Sequence, residues 1–171
     1  MQLDISANLK LQNLALTHAK PLFDCVQSSR ASLQNVLPWV ATLHTEADAE
    51  RYIDTRINNQ VGGLWSAIEF NCEFCGVFGI KYMDAQTQTA EIGYWLGEKA
   101  RGHSLIGLVL EQVIARLREV SDIKTVEFQC LQSNIASQRI IEKIGGQFVE
   151  PCVNDLGVAA DEPLYIYRLT L

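Results

Sequence analysis

The sequence lacks any long uninterrupted apolar run, although 48% of its 171 residues are hydrophobic. None of its short apolar blocks approaches the ~20 consecutive apolar residues that a membrane-spanning helix needs. The first residues also lack a basic patch followed by an apolar stretch, which is the pattern of a secretory signal peptide. We therefore expect a soluble, cytoplasmic protein with no membrane partner, in which residues 1–171 form one domain around a substantial apolar core.

Paired cysteines and clustered histidines are also missing. The five cysteines are odd in number and scattered among apolar neighbours, which is typical of reduced intracellular thiols. Cys72 and Cys75 form one C-x-x-C, but no second pair stands at zinc-ligand spacing, so a turn between two strands explains this segment. The three histidines lie far apart, without Cys or Asp partners at a catalytic spacing. The sequence therefore predicts neither a disulfide framework nor a metal site.

Basic residues are few, because the sequence has 14 Lys and Arg but 20 Asp and Glu, which gives a net charge of -6. Nucleic-acid backbones are held by clustered Lys and Arg, so we do not expect a nucleic-acid partner. One segment differs from the rest, because residues 99–143 carry seven basic and five acidic side chains. A net-basic segment of this kind suits a small phosphorylated ligand, although ordinary fluctuation in composition would give the same pattern.

Hydrophobic periodicity and turn residues predict the secondary structure of the first third. Residues 9–14 read as a strand, and residues 17–29 show helical spacing with Thr17 as a candidate N-cap. Thr45 followed by Asp48 resembles a capping arrangement for a second long helix. We expect that helix to end at Gly62 and Gly63.

The remaining elements follow a change of period. Aromatic and β-branched residues in 64–70, 75–84 and 89–97 predict three successive strands, joined as an antiparallel meander. A long amphipathic helix, a strand, a short helix begun by Asn134 and stopped by Gly145, and two final strands come next. This order of strand, helices, three strands, helix, strand, helix and two strands predicts a mixed α/β (α+β) domain.

The turn before the long helix is a candidate anion site. A strand ends there, Arg101 and Gly102 form a short turn, and the helix begins. The first turn of a helix offers free backbone N–H groups, and the helix dipole adds partial positive charge. Neither a Walker loop nor a dinucleotide-binding glycine motif is present, so the turn alone does not identify the anion.

A second segment about thirty residues downstream makes the pattern specific. Together the two segments resemble the GNAT acetyltransferase superfamily, and within it the RimJ/RimL-like branch that acetylates ribosomal-protein N-termini. That branch shows a strand like E-I-G-Y-W-L, then R-G-x-G, then N-x-x-S-x-R-x-x-E-K-x-G. The matching positions here are residues 91–96, residues 101–104, and Asn134, Ser137, Arg139, Glu142, Lys143 and Gly145. The L-P-W-V of residues 37–40 also resembles the substrate-side segment of that branch, so the resemblance spans nearly the whole chain.

Two positions depart from the family pattern. Ser104 stands where the second glycine of R-G-x-G is usual, and its side chain crowds the loop while its N–H stays available. Serine is also a good helix N-cap. Ile141 stands where many members carry a tyrosine that protonates the leaving thiolate, so that role passes elsewhere or is absent.

The resemblance implies a GNAT fold, with a mostly antiparallel central sheet, a splayed parallel strand pair and flanking helices. It implies acetyl-CoA as cosubstrate, held between the two splayed strands, with no metal and no covalent acyl-enzyme. Ser137 would protonate the leaving thiolate, and Glu91, directly or through water, is the candidate base. The implied coenzyme-binding residues are Trp95, Leu96, Arg101, Gly102, His103, Ser104, Leu105, Ile106, Asn134 and Arg139.

Each of these residues also has a purely structural interpretation. Asn134 fits a helix N-cap, Ser137 a first-turn residue and Arg139 a solvated charge. Glu91 fits the exposed side of a strand, and His103 fits a loop surface whose backbone N–H faces phosphate.

The acceptor follows from how little acid–base machinery the sequence shows. A peptide α-amine has a pKa of ~7.7 to 8.0 and is partly neutral near pH 7, whereas a lysine amine, at ~10.4, needs a strong base. This argument and the resemblance both favour a protein or peptide N-terminus, such as that of a ribosomal protein. Two alternatives stay open, namely a polyamine or aminoglycoside acetyltransferase and a catalytically silent CoA-binding module. A homodimer is compatible with the sequence and is not specified by it.

Overall fold

The structure is a computed structural model that describes residues 1–58, 63–154 and 161–171. Within these ranges the regular elements are β1 (Leu3–Ser6), β2 (Leu9–Asn13), α1 (Ala19–Leu33), α2 (Glu46–Ile57), β3 (Leu64–Phe70), β4 (Glu73–Asp84), β5 (Thr89–Leu96), α3 (Leu105–Val120), β6 (Thr125–Leu131), α4 (Ile135–Lys143), β7 (Gln147–Cys152) and β8 (Leu164–Thr170). Short 3-10 helices span Leu16–His18, Pro38–Thr42 and Glu98–Ala100. In this described part of the chain, no helix is both long and apolar enough to cross a bilayer.

All eight strands belong to one sheet in the order β1-β2-β3-β4-β5-β6-β8-β7. Every neighbouring pair is antiparallel except β5 and β6, which are parallel. Their pairing runs from Thr89 opposite Thr125 to Ile92 opposite Phe128, although both strands continue beyond that point. We call the space between residues 93–96 and 129–131 the gap. This splayed parallel pair in a mixed sheet confirms the predicted fold class.

Apolar side chains cover both faces of the sheet. Helix α3 packs its buried stripe, which runs from Leu105 to Leu117, against Phe78 and Phe128 on one face. Helices α1 and α2 cover the other face, where Leu22 and Ile53 are fully buried. Each large side chain of this kind contributes roughly 1.5–3 kcal/mol through burial. The packing holds β5 and β6 in place on either side of the gap.

The predicted elements are found, with differences at the amino-terminal end. Strand β1 was not predicted, because it has only four residues and alternates between half-buried and exposed positions. Thr17 is not a helix N-cap, since the chain already turns there in a 3-10 helix and α1 begins at Ala19. Helix α1 also extends to Leu33, beyond the predicted end.

The predicted start of helix α2 agrees with the structure, whereas its predicted end does not. The Thr45 hydroxyl accepts from the Asp48 N–H at 3.2 Å, and the Asp48 carboxylate accepts from the Thr45 N–H at 2.8 Å. This reciprocal capping box confirms the predicted start of α2. Helix α2 ends at Ile57, earlier than predicted. Of the two glycines predicted to end it, Gly62 lies outside the described residues and Gly63 directly precedes β3.

The end of α4 agrees with the predicted stop. Gly145 has φ +95°, its N–H donates to Glu142 at 3.0 Å, and the Gly146 N–H donates to Ile141 at 2.9 Å. These two bonds form a Schellman motif, in which a left-handed residue closes the helix. Position 145 favours glycine, because a residue with a Cβ would lose more free energy in this left-handed conformation.

Candidate active site

A pocket of about 300 Å³ occupies the gap between β5 and β6. Side chains from both faces of the sheet line it, because the strands have separated at this point. The wall on the α2 side includes Leu37, Trp39, Tyr52, Arg56, Trp65 and Lys81, and the wall on the α4 side includes Tyr94, Cys130, Asn134, Ser137 and Ile141. Two reactants can therefore meet in this pocket from opposite sides of the sheet.

The end of β5 presents a backbone N–H to the gap. The Gly97 N–H donates to the Cys75 carbonyl on β4 at 2.9 Å. Since N–H directions alternate along a strand, the Trp95 N–H also points to β4 and the Leu96 N–H points to the gap. A donor in this position can polarise a carbonyl whose oxygen becomes negative during reaction. Of Trp95 and Leu96, the two coenzyme-binding residues predicted on this strand, the geometry favours Leu96 as the backbone donor to such a carbonyl.

Residues 101–104 form the predicted turn before α3. Gly102 has φ +80°, and a Cβ built on it would meet no atom within 4 Å, so its backbone is open to a ligand. Arg101 is exposed and folds back on β5, where its Nε and Nη2 donate to the Leu96 carbonyl at 3.3 and 3.2 Å. His103 is exposed too, and its ring packs 5.4 Å from that of Phe70.

The first turn of α3 provides the anion-binding geometry expected of this segment. The side chains of Leu105 and Ile106 are 3% exposed and anchor the helix in the core. Their backbone N–H groups belong to the first helical turn, where donors have no partner within the helix. A phosphate can approach these donors through the open turn at Gly102.

Ser104 occupies the N-cap position of α3, but its side chain makes no capping hydrogen bond. This corrects the sequence-based interpretation of Ser104 as a functional cap. The residue has φ 58° and ψ 18°, whereas a capping side chain requires an extended backbone. The left-handed conformation gives a physical reason for glycine at this position in the family pattern.

We expect opposite stability changes from Ser104→Gly and Asn134→Ala. Ser104→Gly removes the side chain from a residue with a left-handed φ. It should therefore raise the free energy of unfolding by about 0.5–1 kcal/mol. The second removes an N-cap whose Oδ1 accepts from the Ser137 N–H at 3.3 Å, and should lower it by ~1 kcal/mol. Urea unfolding monitored by circular dichroism measures both. A lower free energy of unfolding for Ser104→Gly than for the wild-type protein would contradict backbone strain at Ser104.

The short helix α4 brings two of the predicted site residues into the pocket. Asn134 caps this helix, as the structural interpretation predicts, and both Asn134 and Ser137 line the pocket. Arg139 is exposed and lies outside the pocket lining. The roles of these residues in binding and catalysis stay predictions.

The family model of the acetyltransferase (GNAT) domain matches residues 8–147 of this chain. The chain belongs to the GNAT acetyltransferase family. It is 26% identical over 151 residues to the ribosomal-protein-serine acetyltransferase of Escherichia coli K12, which covers 87% of this chain and 84% of that protein.

Two solved acetyltransferase structures share the fold. The RimL ribosomal L7/L12 alpha-N-protein acetyltransferase in complex with coenzyme A has a TM-score of 0.91 at 20% identity, over 100% of this chain and 98% of that one. The microcin C7 self-immunity acetyltransferase MccE, in complex with acetyl-CoA and AMP, has a TM-score of 0.88 at 22% identity, over 98% and 94% of the two chains. At these identities the likeness establishes the fold.

Tyr94 is a pocket residue of this GNAT domain that the sequence did not single out. It lies on the α4 side with Ser137, and its hydroxyl is buried without a well-formed hydrogen bond. Burial raises the pKa of Tyr94, and the nearby Ser137 hydroxyl only partly opposes this, so the phenol stays protonated at neutral pH. Strand alternation would have placed Tyr94 on the face opposite Trp95. Ile141, where a tyrosine is common, is buried and apolar.

Glu91 is buried, at 6% exposure, so its interpretation as an exposed strand residue is wrong. Its carboxylate forms an ion pair with the Lys81 ammonium. Lys81 is ten residues earlier, at a bulge in β4, and this cross-strand partner was not visible in the sequence. Lys81 belongs to the pocket lining and Glu91 does not, so the base role of Glu91 stays a prediction.

The cysteines fit direct transfer better than a covalent intermediate. Cys130 lines the pocket, and burial raises the pKa of its thiol to about 11. The thiol is then protonated at neutral pH, and a protonated thiol is a poor nucleophile.

Cys72 lies in the turn between β3 and β4 with φ 64°, as the turn interpretation predicts. In the residues that the structure describes, no group of three His, Cys, Asp or Glu could hold a metal ion.

Proposed function

We propose that this chain transfers the acetyl group of acetyl-CoA to the N-terminal α-amine of a protein, and that the acceptor is a ribosomal protein. The observation that carries the proposal is the pocket at the splayed β5–β6 pair, which is lined from both faces of the sheet. Family membership supports the acetyl donor. The name of the Escherichia coli relative supports a ribosomal-protein acceptor.

In the proposed complex, the coenzyme approaches from the α3 and α4 side. Its pyrophosphate lies against the backbone of residues 101–106, and its thioester reaches the gap. The Leu96 N–H donates to the thioester oxygen and stabilises the negative charge that develops there. The neutral α-amine enters from the α2 side and attacks the carbonyl carbon.

The reaction then proceeds without an acyl-enzyme. The nitrogen–carbon bond forms, the amine loses one proton to a base, and the carbon–sulfur bond breaks. The thiolate leaves with its electron pair and takes a proton from the Ser137 hydroxyl, which regains a proton from water. Glu91, directly or through water, is the proposed base that accepts the amine proton. The Tyr94 hydroxyl is a second protonated donor in the same pocket.

We also propose that the protein works in the cytoplasm, where ribosomal proteins are synthesised, and that residues 1–171 act as one domain. The single eight-stranded sheet, which runs through the described residues, supports the second part.

The acceptor is tested with two matched peptides at pH 7. One has a free N-terminus and a blocked lysine, and the other has a blocked N-terminus and a free lysine. We expect faster acetylation of the first, because its amine, with a pKa of ~7.7 to 8.0, is partly neutral, whereas lysine at ~10.4 is almost fully protonated. Mass spectrometry of the products measures both rates.

The pH dependence offers an internal check on this experiment. The rate with the N-terminal peptide should rise as pH increases through the pKa of its α-amine, because the attacking neutral form is lost by protonation below it. Faster acetylation of the lysine peptide at pH 7 would overturn the proposed acceptor.

A further inference from the structure

The pocket contains buried polar atoms that the protein does not satisfy. Among the described residues, three buried side-chain atoms lack a hydrogen-bond partner, namely Arg56 Nε, Trp65 Nε1 and the Tyr94 hydroxyl. All three residues line the pocket in the gap. Folded proteins pair the large majority of such atoms, and the exceptions call for a functional explanation. A ligand that brings hydrogen-bond acceptors would satisfy this pocket.

Arg56 is held firmly on the α2 side of the pocket. Its guanidinium carbon lies 3.3 Å from the centroid of the Tyr52 ring and 5.0 Å from that of Trp65. Its Nη1 donates to the Tyr52 carbonyl at 2.9 Å. The Tyr52 hydroxyl in turn accepts from Trp95 Nε1 at 3.0 Å, which ties this wall to β5. The guanidinium therefore has little freedom to turn away from the pocket.

The charge of Arg56 has no carboxylate partner in the described part of the chain. Burial lowers the pKa of Arg56, which indicates that water solvates the charge poorly. Lys81 lines the same pocket, but its ammonium is already paired with Glu91. Arg56 is thus a half-buried cation in the pocket without a counter-charge from the described residues.

Both unpaired nitrogens on this wall are donors only. A guanidinium and an indole N–H cannot accept a hydrogen bond, so each requires an acceptor on the ligand. A positive charge beside a neutral donor matches a carboxylate or a phosphate, since charge-assisted hydrogen bonds to such anions are strong. An anion therefore matches these two donors.

We propose that Arg56 and Trp65 form a subsite for an anionic group on the acceptor, and that this group is an Asp or Glu side chain at the second or third residue of the acceptor peptide. The proposal rests on the proposed function. An extended chain advances ~3.3–3.6 Å per residue, and a pocket of about 300 Å³ admits only the first residues behind the reacting amine. Ser137 and Arg56 line this same pocket, so the carboxylate must follow the amine closely.

The test uses two peptides with free N-termini that differ only in Asp or Asn at positions 2 and 3. We expect wild-type protein to acetylate the Asp peptide with at least tenfold higher kcat/KM. Arg56→Gln should remove this preference, Arg56→Lys should retain part of it, and Arg51→Gln should leave it unchanged. Arg51 is a matched control on the same helix, with a side chain that is 73% exposed.

A purely structural role for Arg56 would lower kcat/KM for both peptides by the same factor and leave their ratio intact, which would overturn the subsite. Equal kcat/KM for the two peptides with wild-type protein would also overturn it, whether or not any variant folds. In either case, acetylation of both peptides would leave the proposed N-terminal acetylation standing. Failure to acetylate any N-terminal peptide would instead reject the proposed function.

A further comparison separates a carboxylate on a peptide from a phosphate on a small amine. O-phosphoethanolamine and ethanolamine are tested in the same assay with wild-type protein and Arg56→Gln. We expect the Arg56-dependent preference to be larger for the peptide pair. A larger preference for the phosphorylated amine would overturn the assignment of the subsite to an acidic peptide.

Discussion

Replacing Gly76 with alanine is expected to lower both stability and acetyl transfer. Gly76 lies opposite Leu96, and a Cβ on it would stand 2.1 Å from the Trp95 carbonyl oxygen and 3.1 Å from the Leu96 Cα. These are backbone atoms, so the end of β5 must shift. We expect a loss of about 1–3 kcal/mol in the free energy of unfolding, as for other overpacked sites. Misplacing the Leu96 N–H by ~1 Å should cost about 100-fold in kcat/KM.

Gly107 provides a matched control for the same substitution. It lies in α3, its φ is not in the left-handed region, and an added Cβ would meet no atom within 4 Å. Gly107→Ala should keep or raise the free energy of unfolding, by up to ~1 kcal/mol, because alanine is the better helix former. Urea unfolding and steady-state kinetics measure both variants. If Gly76→Ala and Gly107→Ala had the same free energy of unfolding and the same kcat/KM, the close approach of β4 and β5 at Gly76 would be contradicted.

Ser137→Ala is expected to lower kcat by up to ~100-fold, the low end for general acid catalysis, since a thiolate is a fair leaving group. The KM for acetyl-CoA should change little, because a proton donor to sulfur acts mainly in the transition state. Ser133→Ala is the matched control, an exposed serine outside the pocket lining that bonds to Glu162. Steady-state kinetics with varied acetyl-CoA separates kcat from KM. An unchanged kcat would reduce Ser137 to a helix residue.

Tyr94→Phe tests whether the second hydroxyl shares this role. If Tyr94 also donates to the thiolate, the Ser137→Ala and Tyr94→Phe double variant should have a lower kcat than either single variant. A double variant equal to Ser137→Ala would assign the proton to Ser137 alone.

The fold was largely predictable because its signals are local. Runs rich in aromatic and β-branched residues predicted β3 to β5, and a continuous helical stripe predicted α3. The capping pair before α2 and the glycine after α4 each fix a boundary through contacts within a few residues. Strand β1 was not predicted because its four residues, which alternate between half-buried and exposed, acquire their structure by pairing with β2.

The site was less predictable because its side chains converge from distant segments. Arg56, Trp65 and Tyr94 come from α2, β3 and β5, and only the sheet brings them to one pocket. The ion-pair partner of Glu91 is Lys81, which reaches it from the neighbouring strand. The positive φ of Ser104 is set by the turn before α3, whereas the residue type alone suggested an ordinary cap.

The most direct test of the account is steady-state release of free CoA. The assay compares a peptide with a free N-terminus, its lysines blocked, and the same peptide with its N-terminus blocked as well. We predict many turnovers with the first peptide, one acetylated peptide for each CoA released, and no peptide-dependent release with the second. Binding of acetyl-CoA without turnover on the first peptide would contradict the account and identify a catalytically silent CoA-binding module.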